Sequence, residues 1–159
     1  MATTLENIPV KYSDLISEIE TGQVKIPQFQ RKFVWGINAS AKLLDSILKG
    51  YPIGTFIYWR TNERLRSVRN LGNIILPEPK HGEYVNYVLD GQQRLTSLYA
   101  ALKGIKILNE DNKELDYSQI FIDLKAKGDE PIVITETTGK TEFDFIKVTD
   151  LMEEGREIL

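Results

Sequence analysis

The sequence predicts an α+β fold, and three observations carry that expectation. Apolar stripes at helical spacing recur, as in Leu43, Leu44, Ile47 and Leu48. Short β-branched and aromatic runs such as Thr55-Phe56-Ile57-Tyr58-Trp59 stand between glycine and proline punctuation. The two kinds of pattern mix without a regular strand–helix–strand repeat, which argues against a doubly wound sheet.

The elements follow in order. Ser13 is placed to cap a short helix running to about Thr21, with Leu15, Ile16 and Ile19 on one face and Gly22 as the stop. Ile26 to Trp35 reads as extended or irregular, because Pro27 blocks a helical start and Phe29, Phe33 and Trp35 offer large anchors. Asn38 is the expected cap of a second helix ending at Gly50, whose wet face carries Lys42, Asp45 and Lys49. Tyr51 to Gly54 is a turn, and Thr55 to Trp59 a strand. Residues 61–82 are polar and read as a long excursion, with Arg64, Arg66, Arg69, Lys80 and His81 as a thin basic patch or, better, a solvated loop. Tyr84 to Leu89 is a strand with Val85, Tyr87 and Leu89 on one face. Gln92 to Lys103 is a helix with Leu95, Leu98, Tyr99 and Leu102 inward, closed by Gly104. Further strands are expected at Ile105–Leu108, Gln119–Leu124, Pro131–Thr135 and Phe143–Val148, and a final helix from Thr149 or Asp150. That last helix has no stop signal, so the chain reads as leading into a longer protein.

Composition narrows the function. With 159 residues, 42% of them hydrophobic, the chain can bury a core without staples. Twenty basic against 23 acidic residues give a net charge of −3, so any contact with nucleic acid has to be local. The absence of cysteine excludes disulfides and thiolate metal sites, and a single histidine, His81, cannot build a multi-histidine centre. No apolar stretch reaches the length of a membrane span, and Met1 to Asn7 lacks a secretory pattern, so a cytoplasmic protein without a membrane partner is expected.

The densest chemistry lies in Leu89-Asp90-Gly91-Gln92-Gln93-Arg94-Leu95, where a strand is expected to turn into a helix. Helix-start N–H groups, the positive dipole end and an arginine fork together suit a phosphate. The plainer reading is a capping box, with Asp90 as cap and Gln93 three residues on. Both readings fit the pentapeptide, although capping leaves Gln92, Arg94 and the need for Gly91 unexplained. A second cluster, Pro27 to Trp35, alternates amides and bases with rings, so Gln30 and Arg31 could converge with Arg94 on one anion. A third, Leu48 to Gly54, reads as a helix stop and a tight turn. Asp90 and Asp123 are the carboxylates that could hold Mg²⁺, Asp90 being the one at the motif. No Ser-His-Asp set, Walker-type GKS/T sequence or zinc-ligand spacing occurs.

In this order the motifs P-x-x-Q-R-x-F-V-W (Pro27–Trp35), S-I-L-K-G-Y-P-I-G (Ser46–Gly54) and D-G-Q-Q-R-L-T-S-L (Asp90–Leu98) resemble one family closely. It is the N-terminal domain of GmrSD-type, modification-dependent (type IV) restriction enzymes, of the ParB/sulfiredoxin-like superfamily. The resemblance covers most of residues 8–151, with residues 152–159 as the start of a following helical region. It implies an α+β domain with a small mixed sheet, and a phosphate site at the D-G-Q-Q-R turn. It also implies a nucleoside-triphosphatase component of an anti-phage restriction system. The alternative is a DNA-binding or nicking module that contacts modified DNA without nucleotide turnover. Carried onto this chain, Asp90, Gln92, Gln93 and Arg94 would be catalytic, and Gln30, Arg31, Gly91 and Arg94 would bind nucleotide phosphate. Mg²⁺ and a nucleoside triphosphate are the implied cofactor and substrate. DNA and a helical, HNH-like nuclease region, in a longer chain or a partner, are the implied associates.

Overall fold

A computed structural model describes residues 5–66, 68–71, 74–109 and 111–152. Helix α1 (Tyr12–Glu20) leads into strand β1 (Val24–Pro27), and helix α2 (Ile37–Leu48) into β2 (Ile57–Thr61). The short β3 (Val68–Arg69), β4 (Val85–Asp90) and helix α3 (Gln92–Lys103) follow. Five short strands close the order: β5 (Lys106–Leu108), β6 (Glu114–Asp116), β7 (Phe121–Asp123), β8 (Val133–Ile134) and β9 (Phe145–Lys147). Residues 150–152 begin the expected last helix, and the rest of it lies outside the described residues. Helices and strands therefore mix without a βαβ repeat, as an α+β fold does.

The central sheet has the order β2-β4-β1-β3, with β1 and β4 parallel and both outer pairings antiparallel. Val24 and Ile26 of β1 and Val88 of β4 join one core with Leu15, Ile16 and Ile19 of α1, Ala41, Leu43 and Leu44 of α2, and Leu95 and Leu98 of α3. Helix α3 is buried almost all round. Its polar Gln92, Gln93, Thr96 and Ser97 are enclosed with its apolar residues, and Ser97 Oγ lies 2.6 Å from Ser40 Oγ of α2.

Described residues of the 61–82 excursion bond to Tyr87 and Lys25 of the central sheet. Tyr87 of β4 packs its ring 5.9 Å from Trp59, and its hydroxyl accepts a hydrogen bond from Leu65 N at 2.9 Å. Lys25, buried on β1, donates to Glu78 Oε1 at 2.6 Å. Arg64 donates to the carbonyls of Glu83 (2.7 Å) and Lys80 (3.3 Å), so it clasps the excursion shut instead of forming a basic patch. The expectation of a long, solvated loop is corrected here: β3 pairs with β1, and Leu71 is buried.

Other local expectations change for physical reasons. Ser13 does not cap α1: the helix starts at Tyr12 after Lys11, with no side-chain cap bond. Asn38 lies inside α2, which follows Gly36, and its Oδ1 accepts a hydrogen bond from Thr135 Oγ1 at 2.9 Å. Leu89 turns outward because β2 and β4 slip register there: Ile57 faces Asp90 and Tyr58 faces Val88, leaving Leu89 as a bulge. Asp45 is not a solvated residue. Besides its ion pair with Lys49 at 2.9 Å, it accepts the N–H groups of Ile132 (2.6 Å) and Val133 (3.0 Å) and so docks the β8 strand on α2. β6, absent from the sequence expectation, pairs with β5 as a hairpin.

Candidate phosphate site at the start of helix α3

Helix α3 begins where the bulged strand β4 ends. Gly91 takes the N-cap position at φ 89°, ψ 13°, in the left-handed region where a side chain is strained. A Cβ at Gly91 would stand 2.6 Å from Phe56 Cδ1, so space as well as conformation requires glycine there. No side chain caps the helix, and its first intrahelical bond is Leu95 N to Gly91 O at 2.9 Å. The capping box expected as the plainer reading does not form: Asp90 is not the cap, and Gln93 turns elsewhere. The first-turn N–H groups are thus left without a side-chain acceptor, and no acidic residue occupies that turn.

Gln93 ties the two sequence motifs together. Its Nε2 donates to Lys32 O at 2.9 Å and its Oε1 accepts Val34 N at 3.0 Å. Gln30 makes the matching link, donating from Nε2 to Leu89 O at 2.9 Å. Tyr117 adds a third, its hydroxyl donating to Trp35 O at 2.6 Å. Residues 30–35 form no strand, so these side chains supply the hydrogen bonds that a ladder would otherwise give the backbone. Burial pushes the Tyr117 hydroxyl up to about 12, which keeps it a neutral donor.

Arg94 is fastened to the third motif. Its Nη1 donates to Ile53 O at 2.7 Å and its Nη2 to Thr55 O at 3.0 Å, and its guanidinium lies 5.2 Å from the centre of the Phe56 ring. Gly54, at φ 88°, leaves the room this requires, since a Cβ there would sit 2.6 Å from Nη1. The Ile53–Phe56 turn is therefore the seat of Arg94, a role beyond the helix stop and tight turn that the sequence suggests. Phe56 was read in the sequence as a strand residue alone.

The remaining site residues differ in exposure. Asp90 has a side chain 64% exposed, its Oδ2 3.7 Å from Arg94 Nη2. Gln92 is 8% exposed and makes no side-chain hydrogen bond to any described residue. Arg31 is exposed on the strap between Gln30 and Lys32, with no ion pair to a described residue. Gln30 and Gln93 thus fasten the strap that carries Arg31 to the β4–α3 junction, and Arg94 is held against the 53–56 turn. Asp123 lies in the separate β8-β7-β9 sheet, its carboxylate held by Lys140 Nζ (2.8 Å) and Lys125 N (2.9 Å). No group of three or more His, Cys, Asp or Glu that could hold a metal ion occurs among the described residues. No helix among them is long and apolar enough to cross a membrane.

Comparison with known proteins agrees with these motifs. An uncharacterized protein of Methanocaldococcus jannaschii is 38% identical over 98 residues, which is 56% of this chain and 16% of that protein's length. The family model for the GmrSD restriction endonuclease N-terminal domain matches residues 12–156, a span that contains the 27–35 strap, the 46–54 turn and the start of α3. The chain belongs to the family of GmrSD restriction endonuclease N-terminal domains.

Proposed function

We propose that this domain binds a nucleoside triphosphate at the start of α3 and hydrolyses it, as the nucleotide-handling part of a modification-dependent DNA restriction system. One observation carries the reading. Gln93 and Gln30 clamp the basic strap against an uncapped helix start, so Arg31 and the first-turn N–H groups share one neighbourhood. A ParB/sulfiredoxin-like kinship belongs to the same reading.

The residues divide the work. Arg31, exposed and without an ion pair to a described residue, grips phosphate, and the N–H groups of Gln92 and Gln93 cradle an oxygen. Arg94 adds positive charge from beneath while keeping the 53–56 turn in place. Gln93 has both ends of its amide engaged, so Gln92, with its amide unpaired, is the one suited to orient the attacking water. That water attacks the terminal phosphorus, the bond to the bridging oxygen breaks, and nucleoside diphosphate and phosphate leave. The exposed Asp90 carboxylate would hold a Mg²⁺ were one bound, and that ion would supply charge neutralisation. DNA cleavage falls to a helical, HNH-like region in a longer chain or a partner.

A second reading, contact with DNA backbone without turnover, is favoured by Phe29, 71% exposed beside Arg31 and Lys32. The two separate by titration. Phosphate release from GTP, ATP, CTP and UTP, lowered at least tenfold by Gln92→Ala with binding retained, supports hydrolysis. No nucleotide binding, together with DNA binding that weakens steeply with salt, supports the second reading and overturns the first.

A further inference from the structure

Beside the strap, a cavity of about 180 Å³ opens between residues 33–35 and the β5–β6 hairpin. It is lined by the aromatic residues Phe33, Trp35 and Tyr117, by Leu108 and Leu115, and by Asp111. We propose that this groove holds the base of the nucleotide whose phosphates lie at the start of α3, an inference that rests on the proposed phosphate site.

Four features point to that occupant. The groove and the phosphate site share a wall: Val34 lines the groove, and its N–H is held by Gln93 of the first turn of α3 at 3.0 Å. The basic Arg31 and Lys32 precede the aromatic stretch directly, so one strap runs from charge to ring, as a nucleotide does. Arg31 and Trp35 are at most about 14 Å apart along an extended chain. The volume is below the roughly 300 Å³ at which pockets for whole drug-sized ligands begin. A flat ring fits there, and a complete nucleotide does not. Finally, rings suit stacking on any base, and the Asp111 carboxylate, exposed and without an ion pair to a described residue, is an acceptor for N–H donors on a base edge. The groove is also built to last: Tyr117 is fully buried, and its hydroxyl fixes Trp35 through the main chain.

The test uses the whole chain, with GTP, ATP and inorganic tripolyphosphate as probes in calorimetric titration. Leu108 is 52% exposed, so Leu108→Trp can fill the groove without disturbing the core. It is expected to weaken GTP and ATP at least tenfold and tripolyphosphate less than twofold. In a Trp59→Phe chain, where Trp35 is the only tryptophan left, GTP is expected to quench the fluorescence and tripolyphosphate to leave it unchanged. Unchanged GTP affinity in Leu108→Trp, with tripolyphosphate still bound, overturns the groove and leaves the phosphate site standing. Failure of the unaltered chain to bind either probe overturns both. Sensitivity of a single-stranded oligonucleotide to Leu108→Trp, with mononucleotides unaffected, assigns the groove to DNA and overturns the proposal.

Discussion

The start of α3 and the β7–β9 sheet are held by different chemistry. Around α3 the fastening bonds run from amide and guanidinium groups to backbone atoms: Gln30 to Leu89, Gln93 to Lys32 and Val34, Arg94 to Ile53 and Thr55. The two glutamine amides carry no ionisable group. The β7–β9 sheet is tied instead by carboxylates: Asp123 to Lys140, Asp144 to Lys125 (2.6 Å) and Thr141 N (2.8 Å), and Asp45 to Ile132 and Val133. The fastening side chains of the one region include uncharged amides, and those of the other are carboxylates, which add to its ladders and core packing only while charged. A candidate site built on the first kind of frame keeps its geometry while a charged ligand comes and goes.

The largest expected difference is in packing. Leu98→Ala, at a buried position of α3, should cost about 3 kcal/mol in denaturant unfolding. Phe143→Ala, at an exposed position before β9, should stay within about 0.5 kcal/mol. Equal losses would erase the contrast between the two regions.

Next comes the backbone at the site. Gly91→Ala meets both a positive φ and the Phe56 ring, so a loss of roughly 2 kcal/mol in the same experiment is expected. A neutral outcome would mean that the β4–α3 junction relaxes freely. Asp45→Ala strips the acceptor from two backbone N–H groups at β8, and about 1–3 kcal/mol should be lost.

Acid should separate the regions in a smaller but sharper way. The Lys125 ammonium and the Thr141 N–H hold the Asp144 carboxyl down at about 2, and the Lys140 ammonium and the Lys125 N–H lower that of Asp123. For Asp45 burial pulls upward, but Lys49 and the two N–H groups outweigh it and the net shift is downward. Carboxyls depressed in the folded state stabilise it fully above the unfolded value near pH 4, and that stabilisation disappears as pH falls toward 2. Amide exchange at Ile122 should therefore lose protection between about pH 4 and 2, before Leu98 does. Simultaneous loss would remove the distinction.

The sequence made α3 legible to the residue, because Gly91 and Gly104 bracket an apolar stripe of ordinary spacing. The α+β class was equally readable, and the three family motifs meet in space around the start of α3. What stayed hidden depends on contacts distant in sequence. Gln93 reads as a capping partner until Lys32 and Val34, about sixty residues away, come within 3 Å of it. Asp45 reads as a wet i,i+4 partner until β8 arrives, 87 residues on. Leu89 obeys its alternation until a bulge turns it out, and a bulge is a property of two strands. Phe56 and the carbonyls that seat Arg94 carry no polar side-chain signal at all.

The central claim is that Arg31 faces a ligand while Arg94 faces the protein. The most direct measurement is calorimetric titration of GTP into the unaltered chain and into Arg31→Ala, with the thermal midpoint recorded for each. The account predicts an unchanged midpoint and an affinity at least tenfold weaker in the variant, a loss of roughly 1.4 kcal/mol or more. Equal affinity in the two chains would contradict it.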